Sequence, residues 1–138
     1  MVYVATAFLG GAVAANAQVS ALLLFDAKTS TKFSGCLNCV KHNETSVCNK
    51  YGTFGSKYED SSIWNRHGDV GSKHADDSPW NKYGEGLIVV DSKGDFQGHF
   101  TLSRYARWGQ SRVPMVQDLL ALYDAGVELD NIRDMLCD

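Results

Sequence analysis

Four cysteines and four histidines are the side chains of this 138-residue chain best suited to chemistry, and their spacing narrows what that chemistry can be. Cys36, Cys39, Cys48 and Cys137 are even in number, so in an oxidising compartment two disulfides are the leading expectation, with three pairings open. The Cys36-x2-Cys39 spacing also fits half of a zinc site with Cys48 as a third ligand, but no second close pair follows. A thioredoxin-like redox role would need a helix after Cys39 to lower a thiolate pKa, and the residues there show no helical pattern. Among the histidines, His67 and His74 could converge with Asp69 or Asp76 on a cation, but no HExxH spacing supports such a site. The chain has no GxSxG, P-loop or dinucleotide fingerprint, so no catalytic residue, metal ligand or cofactor is assigned.

The positions of the histidines follow an internal period. Cys48-Asn49-Lys50-Tyr51-Gly52-Thr53-Phe54-Gly55-Ser56-Lys57-Tyr58 recurs as Trp64-Asn65-Arg66-His67-Gly68-Asp69-Val70-Gly71-Ser72-Lys73-His74, and starts again as Trp80-Asn81-Lys82-Tyr83-Gly84. The step is 16 residues, and Ser46, Ser62 and Ser78 keep it. Periodicity of this kind is read before local propensity. An Asn three places before a glycine, as in Asn-x-(Tyr/His)-Gly, suits a tight turn, with positive φ expected at Gly52, Gly68 and Gly84. Gly55-Ser56 and Gly71-Ser72 mark a second bend, and short extended pieces such as Ser61 to Trp64 would lie between bends. Stacked copies would align Tyr51, His67 and Tyr83 in one column and Cys48, Trp64 and Trp80 in another. Glu44, Asp60 and Asp76 would form an acidic column and Lys41, Lys57 and Lys73 a basic one; no calcium-binding loop accompanies the acids. The expected architecture is a small β-rich stack.

Two uses of the rings compete. Tyr58, Trp64, His67, His74, Trp80 and Tyr83 could form an aromatic strip that packs on sugar rings. Alternatively, regularly spaced rings form the core of the stack.

Gly35-Cys36-Leu37-Asn38-Cys39, then Cys48-Asn49-x-Tyr51-Gly52, and the Ser-Ile-Trp-Asn and Ser-Pro-Trp-Asn runs resemble a family of small uncharacterised secreted bacterial proteins with YGxxGSxYxxxSxWN repeats. The resemblance covers residues 34–86. It implies export and architecture and brings no chemistry with it. This chain departs from the pattern in having His67 and His74 at tyrosine positions and Asp69-Val70 where an aromatic is common.

Met1 to Ala17 carry no charged side chain and end in Ala15-Asn16-Ala17, the small-x-small pattern of a signal peptidase site. The run is too short and too rich in small residues for a membrane span, although no Lys or Arg precedes it. The expectation is a leader over residues 1–17, a β-rich repeat domain over 18–112 and a helical hairpin over 113–138, in a secreted or periplasmic protein that does not span a membrane once the leader is removed. With 13 basic against 16 acidic side chains, no nucleic-acid partner is expected.

Flanking patterns supply the remaining elements. The repeats occupy about residues 33–86. Val19 to Phe25 and Thr31 to Phe33 read as strand-turn-strand. Leu87 to Val90 and Phe96 to Leu102 read as a hairpin turning at Lys93-Gly94. Val116, Leu119, Leu120 and Tyr123 have helical spacing behind Pro114; Gly126 would stop that helix and Asp130 cap a second. Six acids in 113–138 face Arg133 alone, while Arg104, Arg107 and Arg112 lack nearby acids. These are either two solvated faces or a hairpin, or a partner, folded on the arginines. The functional expectation is a non-catalytic structural or binding module of the cell envelope, its partner a glycan or protein. Carbohydrate or metal binding on the repeat face is the alternative, and a small hydrolase a distant third.

Overall fold

A computed structural model of the chain describes residues 20–138, and the expected leader lies outside them. The chain is mainly β with a C-terminal helical hairpin. Four strands, β1 (Leu22–Asp26), β2 (Phe33–Cys36), β3 (Leu87–Asp91) and β4 (Phe96–Phe100), form an antiparallel sheet in the order β2-β1-β3-β4. The two most apolar runs, Leu22 to Phe25 and Leu87 to Val90, take the central places, where both edges of a strand are paired and solvent is excluded. Leu24, Leu87, Val89 and Phe100 are fully buried from this sheet.

The turn from β1 to β2 is held by one carboxylate. Asp26 accepts bonds from the backbone N–H of Thr29, Thr31 and Lys32 and from the Thr29 hydroxyl, at 2.7–3.0 Å. Burial alone would raise its pKa, but these donors bind the charged form and lower it from 3.8 to about 2.

The repeat region is built from turns, not strands. Asn49 N–H donates to Ser46 O, Gly52 to Asn49, Ser56 to Gly52, Glu59 to Ser56 and Ser62 to Glu59, giving five linked turns over sixteen residues. The same bonds recur one step later, from Asn65 to Ser62 through Ser78 to Ala75. Side chains reinforce each coil. The hydroxyls of Ser46, Ser62 and Ser78 accept from the N–H groups of Cys48, Trp64 and Trp80, and Asn49, Asn65 and Asn81 accept from those of Tyr51, His67 and Tyr83. Ser and Asn side chains that bond two residues ahead compete with strand ladders, so the extended pieces expected near Ser61 to Trp64 do not form.

The repeat glycines act by close approach. Gly52, Gly68 and Gly84 do not have the positive φ expected of them; that conformation occurs at Gly35, Gly86, Gly94, Gly98, Gly109 and Gly126. A Cβ at Gly55 or Gly71 would collide with the backbone carbonyl of Asn49 or Asn65 in the same coil.

Successive coils are joined through their tryptophans. Trp64 Nε1 donates to Val47 O and Trp80 Nε1 to Ile63 O, each at 2.7 Å. The next carbonyl in that column, Pro79 O, accepts from Leu102 N–H just beyond β4. At the opposite end Cys48 takes the tryptophan position, and its carbonyl accepts from Arg133.

Helices α1 (Pro114–Asp124) and α2 (Leu129–Cys137) form the terminal hairpin. Pro114 opens α1 and Gly126, at φ 93°, ends its turn. Glu128 precedes α2, so Asp130 lies inside the first turn and is not its cap. Val116, Leu119, Leu120, Leu129 and Ile132 join the coil and sheet side chains in one core.

Candidate functional site

The cysteines form Cys36–Cys39 and Cys48–Cys137, and none is free. This overturns the zinc alternative, because all three proposed sulfur ligands are engaged in disulfides. Cys36–Cys39 lies at the end of β2 and is followed by turns, without the helix a redox thiolate needs. Cys48–Cys137 joins the first coil to the end of α2, across 89 residues of sequence. Two disulfides fit an oxidising compartment. No helix among the described residues is long and apolar enough to cross a membrane.

The candidate ring residues divide by burial. Trp64 and Trp80 are 1% exposed, with centroids 6.3 Å apart, so neither ring reaches a ligand from outside. Trp80 is closed in further by Tyr123, stacked at 4.8 Å, and by Phe100, edge-on at 5.5 Å. Tyr58 and Tyr83 are 80% and 89% exposed, and Tyr51, their counterpart in the first coil, is 88% exposed. His67 and His74 are exposed as well. The split runs by position in the coil: the residues after Asn49-Lys50, Asn65-Arg66 and Asn81-Lys82 and after Ser56-Lys57 and Ser72-Lys73 point outward, while the residue after Val47, Ile63 or Pro79 points in, although it too follows a folded-back serine.

The exposed rings line grooves between the coils and the helical hairpin. Arg66, His67, Lys73 and His74 face Tyr123 and Glu128 across a groove of about 720 Å³. A second groove, of about 580 Å³, shares Lys73, His74 and Tyr123 and extends to Tyr83. A third holds Tyr51, Lys57 and Tyr58 against Asp130 and Arg133. Lys50 and Lys57 lie over the rings of Tyr51 and Tyr58, each 5.6 Å from the centroid. The face therefore alternates cation and ring along three coils.

The hairpin acids take their partners from this same face. Lys41 pairs with Asp138, Lys57 with Asp130, Arg66 with Glu128 and Lys82 with Asp124, at 3.1–4.0 Å. The alternative in which the hairpin acids fold on Arg104, Arg107 and Arg112 does not occur, since these acids pair with the coils instead. Each exposed pair contributes little alone, about 0–1 kcal/mol, beside the core packing and the Cys48–Cys137 disulfide that hold the hairpin on the coils. Of the acidic column, Asp76 is paired from the other side, with Lys28 at 2.7 Å, and the adjacent Asp77 meets Lys32 at 3.3 Å.

His67 and His74 do not converge with Asp69 or Asp76: among the described residues no group of three or more His, Cys, Asp or Glu is placed to hold a metal ion. His99 stands apart from the repeat columns. It is fully buried in β4, with Nδ1 3.1 Å from Glu85 O, which makes Nδ1 a donor, while Nε2 has no protein partner among the described residues.

Sequence reasoning missed the far wall of the grooves, formed by Tyr123, Glu128 and Asp130. The available signal was charge: a run of acids in the last 26 residues and a lysine or arginine recurring at the sixteen-residue step. No known protein family, curated protein or solved structure matches this chain.

Proposed function

We propose that this chain is an exported, non-catalytic binding module of the cell envelope, whose ring-bearing coil face holds an extended glycan. The observation that carries the reading is the exposure of Tyr51, Tyr58 and Tyr83, each 80% or more, on a face where the paired tryptophans of the same coils are buried. Tyr51 and Tyr83 stand with His67 in one sixteen-residue column and Tyr58 with His74 in the next, and rings left in water at repeating positions mark an interaction surface more than an isolated one does. Sugar C–H faces pack on such rings, and hydroxyls find donors in the neighbouring lysines and arginines. A polymer with its own repeat matches a face that repeats, and the grooves beside the hairpin give it two walls.

Export is supported by the leader-like first seventeen residues, by the two disulfides and by the resemblance to secreted bacterial repeat proteins. The experiment is cosedimentation with insoluble peptidoglycan and with chitin. The reading expects the protein in the pellet and a Tyr51→Ala/Tyr58→Ala/Tyr83→Ala variant in the supernatant with its melting temperature kept. Equal pelleting of both, or of neither, contradicts it.

A further inference from the structure

The segment between β4 and α1 carries charges that the rest of the molecule leaves alone. From Phe96 to Gln117 the chain has no Asp or Glu, and Arg104, Arg107 and Arg112 lie within nine residues of one another. All three are exposed, and none makes an ion pair among the described residues. Asp124, which shares a cavity with Arg104, is turned to Lys82 instead. With a chain charge of −3 and +3 in this segment, the remainder carries −3 − 3 = −6, so the segment is a cationic island on an anionic molecule.

The same island exposes aromatic rings. Tyr105 is 87% and Trp108 58% exposed, and Phe96 beside them is partly exposed. Trp108 is held from beneath, 5.7 Å from the His99 ring and 5.8 Å from Phe96, while Arg107 lies 5.1 Å from its centroid. The backbone below is fixed as well: His99 N–H donates to Gly109 O, and Ser111 N–H to His99 O. A Cβ at Gly98 would run into the Ser111 backbone, so β4 and this loop are in direct contact. The rings are therefore presented by a braced loop.

We infer that residues 103–112 are a peripheral contact site for an anionic lipid surface. Tyrosine and tryptophan rings settle at the headgroup level of a bilayer because one end is apolar and the other can be hydrated. Arginines beside them meet lipid phosphates, each contributing about five-fold to partitioning near a negatively charged leaflet. An acidic protein would read the same charges, but ring anchors at protein interfaces work by filling a partner pocket and losing all water. Here Arg107 already lies over Trp108, and a headgroup layer conforms to the pair without a preformed pocket.

The test is vesicle flotation of the full chain, using phosphatidylcholine vesicles with and without an equal part of phosphatidylglycerol. The expected result is flotation that needs phosphatidylglycerol and falls as salt is raised. An Arg104→Ala/Arg107→Ala/Arg112→Ala variant should lose about a hundred-fold in partitioning. A Tyr105→Ala/Trp108→Ala variant should weaken binding while keeping its dependence on phosphatidylglycerol. Circular dichroism melts confirm that both variants are folded. The apolar residues before Gln18 are the same in every variant, so flotation that survives both sets of substitutions overturns the inference. So does equal binding to neutral vesicles. Retention on a polyglutamate resin without vesicle binding overturns it in favour of an acidic protein partner.

Discussion

The indole N–H of Trp80 donates to the carbonyl of Ile63, 2.7 Å away and one coil earlier. Trp64 bears the same relation to Val47, so the two largest core side chains also satisfy backbone acceptors that the turns leave free. A coil of linked turns has no continuous ladder to its neighbour, and these side-chain bonds partly replace one. The core and the stacking of the coils therefore depend on the same two residues.

Replacing Trp80 by Phe keeps an aromatic ring, removes the donor and leaves Ile63 O buried without it. The expected loss is about 2 kcal/mol, from an unsatisfied acceptor plus a small cavity, read as the shift in a denaturant midpoint. Trp64→Phe should cost a similar amount. A loss below about 0.5 kcal/mol at both positions would mean that the indole bonds do not hold the coils together.

The disulfides should contribute unequally. Cys48–Cys137 closes 89 residues and Cys36–Cys39 only 3. Loop entropy gives about 4–5 kcal/mol for the long closure and about 2 kcal/mol for the short one. A Cys48→Ser/Cys137→Ser variant should therefore melt well below a Cys36→Ser/Cys39→Ser variant. The first coil lacks the tryptophan that anchors its neighbours, so amide exchange should rise most sharply near residues 46–52 once the long disulfide is gone.

Acid should loosen the β1–β2 turn within a defined window. The folded pKa of Asp26, about 2, lies below its ordinary 3.8, so the stabilisation is complete above 3.8 and is lost as pH falls towards 2. The shift corresponds to about 2 kcal/mol. Urea midpoints measured from pH 5 down to about pH 2 should show this slope in the native chain, and it should be reduced by that amount in Asp26→Asn. Coincident slopes for the two proteins would show that other carboxylates carry the acid sensitivity.

Much of this architecture is visible in particular residues. Pro114, the apolar spacing from Val116 to Tyr123, and Gly126 mark α1 and its end, because a helix needs only local signals. Leu87 to Val90 and Phe96 to Leu102 mark the hairpin for the same reason, although the second strand ends at Phe100. The turns within the coils were legible from Asn and Gly, but their assembly was not: whether a glycine is needed for positive φ or for room beside Asn49 O depends on the path of the chain around the coil. Trp64 and Tyr58 both follow a folded-back serine by two residues, so which of them enters the core depended on how the coils pack and not on that local motif. The partners of the hairpin acids could not be read at all, since pairs such as Arg66 with Glu128 span 62 residues and are fixed by docking.

The most direct test of the central claim is calorimetric titration of the folded chain with soluble peptidoglycan and chitin oligosaccharides of increasing length. The account predicts affinity that rises with oligosaccharide length as successive coils are engaged, and that is lost in Tyr51→Ala/Tyr58→Ala/Tyr83→Ala while the fold persists. Affinity that does not change with length, or that survives removal of all three rings, would contradict a glycan held along the coil face.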